Sequence, residues 1–411
     1  MSTLPTHGDI RSFEVEDNVL CIGGRKLTEV IESVGRTPVY LYDTSLITRR
    51  VEELRAALPP RLKLHYAIKA NPLPKVVKHV AHLVDGLDVA SGGELRVAID
   101  TATPRHQISF AGPGKSDEEL RASVESGIVI NVESPNELLR VNRISRTLSM
   151  TARVAIRINP DFELKGSGMR MSGGPKPFGI DAEFVPDLLR QGLGESVRFE
   201  GLHIFSGSQN LNAAAICEAQ QKSLELAVRL ISGTTEKPRF INIGGGLGIP
   251  YFPGDKRLSL YPIGKNLESL IETAERAIPG VELVLELGRY VVGEAGIYVC
   301  TVVDKKVSRG QTFVITDGGL HHHLAASGNF GQILRKNYPL VVGNRLHGSG
   351  LESMNVVGPL CTPLDLLGHA CQLPAETGVG DLIVVMQSGA YGATASPVNF
   401  LSHPPPLEVT L

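Results

Sequence analysis

Between residues 60 and 290 eight short β-rich runs recur, each followed by a stretch of helical character: Leu62 to Ala67, Asp85 to Val89, Gln107 to Phe110, Ile128 to Val132, Ala152 to Ile158, Glu200 to Phe205, Arg239 to Ile243 and Glu282 to Glu286. Strands that alternate with helices pair in parallel, because a return to the same end of a sheet needs a crossover. Three connections carry one start signal, a serine three residues before a glutamate: Ser91 and Glu94, Ser116 and Glu119, Ser134 and Glu137. The serine caps the N3 amide while the glutamate reaches back to the cap's own N–H, so a helix begins directly after the strand. Leu224, Ala227, Val228 and Ile231 give a later helix its apolar stripe. Eight such units in roughly 230 residues suit a closed (β/α)8 TIM barrel, an α/β fold, better than an open doubly wound sheet.

After residue 290 strands follow one another without helices: Gly296 to Asp304, Thr312 to Asp317, Tyr338 to Val342, Met354 to Val357 and Leu382 to Met386. The expected organisation is an N-terminal segment, 1–36, that has no strong helix and joins the β domain; a barrel, 37–290; and a C-terminal antiparallel β domain, 291–411. The stretch Asp161 to Asp181, with five glycines and no periodicity, breaks the rhythm. A loop that long is functional or mobile, and its position after a strand hangs it over the barrel mouth. Charge is balanced, 41 Lys+Arg against 43 Asp+Glu, without like-charge runs, which gives a nucleic-acid partner no support. With no apolar leader and no long apolar run, the expected setting is cytoplasmic and without a membrane partner. Five cysteines lacking a CxxC pair argue against a disulfide framework and a zinc ribbon.

Active residues of such barrels come from the C-terminal ends of the strands. Past the first run lies Lys69 in Tyr66-Ala-Ile-Lys69-Ala-Asn71-Pro72; on spacing alone a solvated loop lysine is the commoner reading. Past the seventh lies Gly244-Gly245-Gly246-Leu247-Gly248, where backbone N–H groups can approach a phosphate, although tight turns use such runs equally often. Past the eighth lies Glu286-Leu287-Gly288-Arg289: arginine suits a phosphate, and a carboxylate suits a protonated ring nitrogen. A lysine, a phosphate cradle and an acid on three different strands together point to pyridoxal 5'-phosphate. Gly112-Pro-Gly114-Lys115-Ser116 resembles the end of a nucleotide P-loop but lacks its first glycine, Ser109 standing there. His321, His322 and His323 are adjacent and so converge poorly on one ion; no metal is expected.

On these and further residues the chain resembles the fold-type III pyridoxal-phosphate decarboxylases, which include diaminopimelate, ornithine and arginine decarboxylases and share an alanine racemase-like architecture. The motifs run from YAIKANP through GLDVASGGEL, GLHIFSGSQ, INIGGGLG and ELGRYVVGEAG to GPLCTPLD and SGAYG, covering most of the chain. The resemblance implies decarboxylation of an amino acid through aldimine and quinonoid intermediates. It assigns Lys69 as the Schiff-base lysine and places Cys361 across the interface of a homodimer with shared active sites, Cys361 or Lys69 being the proton donor. The implied cofactor contacts are Lys69, Asp88, His203, Phe205, Ser208, Gly244, Gly245, Gly246, Glu286, Gly288, Arg289 and Tyr391. The implied substrate contacts are Arg289, Thr362, Asp365, His321 and Tyr391.

Several positions depart from the family pattern. Aligned on Gly207-Ser208, Phe205 stands where the family has a histidine on the cofactor face, and His203 matches the earlier histidine. The acid that follows the cysteine in diaminopimelate and ornithine enzymes is Thr362, and a neutral hydroxyl cannot compensate a buried ammonium. His321, His322, His323 and Ala325 replace the diaminopimelate enzymes' arginine and tyrosine. These changes resemble the exosortase-associated subgroup and the decarboxylase of glutamyl groups on an acyl carrier protein. The expected substrate is therefore a small amino acid or one linked to a carrier protein. Diaminopimelate decarboxylation, racemisation and non-catalytic cofactor binding are the alternatives.

Overall fold

The computed structural model describes residue 7 and residues 12–162, 169–170, 174–332 and 335–411. It divides into two compact units: residues 50–249 with 258–290, and residues up to 49 with 250–257 and 291–411.

In the first unit every one of the eight β-rich runs is a strand: β1 Lys63–Ala67, β2 Gly86–Val89, β3 Ile108–Phe110, β4 Val129–Val132, β5 Ala152–Asn159, β6 Val197–Ile204, β7 Phe240–Gly245 and β8 Glu282–Leu287. They pair in parallel in the order β5-β6-β7-β8-β1-β2-β3-β4, and β4 pairs back onto β5, closing the barrel. The serine signals do start helices. Ser91, Ser116 and Ser134 each accept from the N3 amide. Only Ser116 makes the reciprocal box; Glu94 and Glu137 reach one residue further back, to the amides of Ala90 and Glu133. These glutamates thereby tie each helix to the strand end before it. Of the glycine-rich stretch, residues 163–168 and 171–173 lie outside the described ones. Met169–Arg170 pair antiparallel with Gly207–Ser208, so part of it is ordered backbone rather than structureless.

Side chains two apart on a strand share a face, so the barrel interior is built in decks. Arg153, Ala155 and Arg157 follow one another inward-facing on β5, and Glu282, Val284 and Glu286 do so on β8. The middle deck is apolar: Val129, Ala155, Phe240 and Val284 form one buried cluster. Below it, at the N-terminal ends, Arg153 and Arg239 reach Glu200, and Arg239 and Lys63 reach Glu282. Above it, at the C-terminal ends, lie the polar residues considered below.

In the second unit the strands after residue 290 are β9 Gly296–Ser308, β10 Gln311–Thr316, β11 Leu340–Val342, β12 Leu351–Val357, β13 Leu366–Pro374, β14 Leu382–Val385 and β15 Leu407–Thr410, and the short strands Val15–Glu16, Val19–Ile22 and Arg25–Lys26 form a small sheet of their own. The sheet order is β11-β14-β9-β10-β12-β13, and Val39–Tyr42 pairs with β9 and β15. The sheet is mixed rather than antiparallel: β10 with β12, and β15 with Val39–Tyr42, are parallel pairs. The chain between β10 and β12 is long enough for the crossover that a parallel pair requires. The N-terminal segment does contain a helix, Leu27–Val34, which buries Leu27 and Val30 and ends on a left-handed Gly35. Leu27 and Val30 join Val39, Leu41, Ile297, Val299 and Val384 in one core. Among the described residues no helix is long and apolar enough to cross a membrane.

Candidate active site

Lys69 sits on the single turn Ile68–Ala70 that leaves the C-terminal end of β1. The turn is held from beneath: the fully buried Tyr66 hydroxyl donates to the Asn71 carbonyl (3.0 Å), and Asn71 Oδ1 accepts from the Leu73 amide (3.1 Å). Lys69 Nζ is thereby placed 3.7 Å from Glu286 Oε1 and 5.4 Å from the centre of the Phe205 ring. Glu286, at the end of β8, has its other oxygen 3.1 Å from His203 Nε2 on β6. The turn after β8 approaches the lysine turn so closely that a Cβ on Gly288 would meet Ala70 and the Ala67 carbonyl.

Burial, the largest influence, pushes the Glu286 carboxyl up, but the Lys69 charge, the hydrogen bond and charge of His203 and the Arg157 charge outweigh it. The group is held well below the ordinary carboxylate range and is ionised at neutral pH. Lys69, by contrast, keeps nearly half its side chain exposed. A buried anion beneath a solvent-accessible amine, flanked by one aromatic face, fits pyridoxal phosphate: an amine for its aldehyde, an acceptor for a protonated ring nitrogen, a surface for its ring. Several buried polar atoms on this deck, His203 Nδ1 and Asp88 Oδ2 among them, have no hydrogen-bond partner among the described residues. Such atoms are rare in finished cores and common where a ligand completes the bonding.

The remaining expected residues divide between the two units. In the barrel unit Gly244, Gly245 and Gly246 close β7, with Gly245 opposite Glu286 in register. The Gly244 amide is already donated to Asn242 Oδ1 (2.9 Å). Ser208 pairs with Met169 through its backbone, Asp88 ends β2, and Arg289 opens the short helix Arg289–Val292. Lys115 of the P-loop-like motif is buried, with its ammonium donating to the Gly112 and Asn131 carbonyls and to Glu137, so all three of its N–H bonds serve the fold.

In the other unit Cys361 is exposed, and Tyr391 lies beyond β14 with positive φ. Thr362 and Asp365 line a cavity of about 450 Å³ with Phe313, Ile315, Leu360 and His369. Both oxygens of Asp365 are tied to backbone: Oδ1 accepts from the Leu320 amide (2.6 Å) and Oδ2 from the Leu360 amide (2.8 Å). His321 is fully buried, 3.7 Å from the His322 ring and 5.0 Å from the His403 ring, and neither of its nitrogens has a partner among the described residues. No three His, Cys, Asp or Glu among the described residues converge as metal ligands. The strand-end search missed His65, Ser109 and Asn131 on the same deck; their only signal is alternation, which turns each of them inward.

Comparison with known proteins places the chain in a family. Residues 44–293 match the family model of the pyridoxal-dependent decarboxylases, pyridoxal binding domain. The chain is 38% identical to an L-glutamyl-[BtrI acyl-carrier protein] decarboxylase of Niallia circulans over 91% of its length and 88% of the relative's. It is 33% identical to a diaminopimelate decarboxylase of Aquifex aeolicus over 93% and 89%. Among solved structures, diaminopimelate decarboxylase from M. jannaschi superposes with a TM-score of 0.88 at 27% identity, over 97% of this chain and 92% of that one. The matched model and these identities, over a closed parallel barrel, show that the chain belongs to the pyridoxal-dependent decarboxylases.

Proposed function

We propose that the chain removes the α-carboxylate of an amino acid whose distal end carries no charge, a glutamyl group held as a thioester on an acyl carrier protein. Two copies would form a dimer in which each site receives Cys361 of the partner subunit. The observation that carries the substrate reading is the segment Cys361-Thr362-Pro363-Leu364-Asp365. It offers a hydroxyl and two apolar side chains where a distal ammonium would need an acid, and its one carboxylate, Asp365, is buried and held by two backbone amides. An ammonium left there without a counter-charge is strongly disfavoured. A glutamyl thioester presents only a neutral carbonyl at that end. The Niallia circulans relative, named for a glutamyl carrier protein, supports this choice.

Bound pyridoxal phosphate supplies an electron-poor ring that accepts the electron pair released with carbon dioxide. Lys69 would hold it by its amine. Glu286, kept ionised by Lys69 and His203, would hold the proton on the ring nitrogen. Phe205 would cover one ring face, which it can do without titrating. The amides after Gly244, with Ser208, Arg289 and Tyr391, would take the phosphate. Cys361 would return a proton to the α-carbon.

Carbon dioxide release from carrier-linked glutamate, free glutamate, diaminopimelate, lysine and ornithine tests the reading. Turnover of the carrier-linked group at least a hundredfold above the free diamines is expected; efficient turnover of diaminopimelate would overturn it.

A further inference from the structure

His65 lies inside β1, four residues before Lys69, and its Nδ1 is 3.2 Å from Asp88 Oδ1 on β2. Ser109 Oγ of β3 donates to the same oxygen (2.6 Å), and Asn131 Nδ2 of β4 donates to Ser109 Oγ (3.0 Å). Four neighbouring strands thus contribute one buried side chain each to a single polar row. The imidazole has room because its register partner is Gly86: a Cβ there would collide with His65 Nε2 and with the Gln107 carbonyl. Serine, aspartate and histidine occur together, but the acid is in the middle. Ser109 spends its proton on Asp88 rather than on the histidine, so it is not an activated nucleophile.

Two donors converge on Asp88 Oδ1, while Asp88 Oδ2 is buried without a partner among the described residues. We propose that His65 is the positioning residue for Asp88: it fixes the carboxylate's rotation and charge so that Oδ2 serves as the acceptor for an N–H or O–H of bound pyridoxal phosphate or of the amino group joined to it. The inference rests on the cofactor reading of Lys69 and Glu286. His65 faces Asp88 from β2, Glu286 beside it in register on β8, Asp85 ahead of β2, Lys63 below it on its own strand and Lys69 on the turn above. Burial works against a charge on His65, but the charge and hydrogen bond of Asp88, then Glu286 and Asp85, outweigh it and raise its pKa. Without the imidazole, Asp88 would keep only the Ser109 donor on Oδ1, and Oδ2 would no longer be held in one orientation toward the cofactor.

The test uses the full chain loaded with pyridoxal phosphate and follows the visible absorbance of the bound cofactor against pH, together with the rate of cofactor loss on dilution. Asparagine can place its amide N–H where Nδ1–H stands; leucine cannot. His65→Leu is expected to move the spectral midpoint by about one pH unit, equivalent to a tenfold change in the proton equilibrium, and to speed cofactor loss. His65→Asn should restore most of both. Ser109→Ala, which removes the second donor on Oδ1, should shift the midpoint in the same direction by less, and it stands in should His65→Leu fail to fold. An unchanged titration in cofactor-loaded His65→Leu or, in its place, Ser109→Ala would overturn the proposal, as would equal shifts for leucine and asparagine. A wild-type chain with no visible band would remove the cofactor reading itself, and this inference with it.

Discussion

At the N-terminal end of the barrel the fully buried Glu200 receives Arg153 (2.7 Å), Arg239 (2.9 Å) and Arg198 (3.2 Å), and Glu282 receives Arg239 (3.0 Å) and Lys63 (3.7 Å). At the C-terminal end Glu286 has Lys69 at 3.7 Å and His203 at 3.1 Å, while His203 Nδ1, His65 Nε2, Asp88 Oδ2 and Asn131 Oδ1 have no partner among the described residues. The charged groups at one end saturate one another, whereas buried polar atoms of His, Asp and Asn at the other are left short. A saturated network can only hold strands together; an unsaturated one has bonds to give to a guest. Barrel folds separate stability from chemistry along their axis, and here the separation is visible in the hydrogen-bond accounting of single side chains.

The contrast breaks if the wrong end proves catalytic. Lys69→Ala should abolish covalent attachment of the cofactor and lower turnover roughly a thousandfold or more, read by absorbance after borohydride reduction and by carbon dioxide release, with the melting temperature little changed. Glu286→Gln should lower kcat about a hundredfold, again with small loss of stability. Glu200→Gln should do the reverse. Removing the acid that Arg153, Arg198 and Arg239 share, with Glu282 left to Arg239, should destabilise the barrel by about 2–3 kcal/mol, below the range for fully buried pairs because the arginines are partly exposed. Its effect on kcat in the folded fraction should be within about threefold, as for a site remote from the chemistry. Denaturant unfolding beside steady-state kinetics of both variants decides it. If Glu200→Gln proved inactive but stable, the two ends would not differ as described.

A smaller effect sharpens the comparison from the β unit. Burial, with neighbouring imidazole charge for His321 and His322, pulls His321, His322 and His323 down to about 3, about 4 and about 3 from the usual 6.5. These side chains stay neutral when folded and take up protons once unfolded. Their contribution is therefore complete above about pH 6.5 and is lost as pH falls toward 4. Calorimetry should show the β unit melting several degrees lower near pH 5 than near pH 7, with His321→Phe reducing the difference.

The barrel was legible because its signals are local. A strand, a serine cap and an apolar stripe each occupy a few consecutive residues, and their repetition specifies parallel pairing. Lys69, Glu286 and the glycine turn could be found because strand ends are where such barrels act. The His65 row could not, since each of its members is polar at one inward position and acquires meaning only from the next strand. Strand β13 escaped notice for a related reason: Gly368, His369 and Ala370 interrupt its apolar pattern, Ala370 has positive φ, and its register against β12 shifts near that point. The parallel pair of β10 and β12 is likewise a long-range choice that alternation cannot express. Asp365 is implied as a substrate contact by its place near Cys361; that its oxygens also accept from the Leu320 and Leu360 amides is a long-range fact no local pattern carries.

Val129, Ala155, Phe240 and Val284 have a further consequence, because they act as a septum one side chain thick. On one side lies a reaction chamber that has to control every proton; on the other, a buried glutamate ringed by partly exposed arginines. Shaving Phe240 down would join the two compartments and allow protons to leak by a back door, uncoupling carbon dioxide release from faithful reprotonation. Anyone enlarging this chamber for a bulkier acyl group should widen its rim and leave that diaphragm intact.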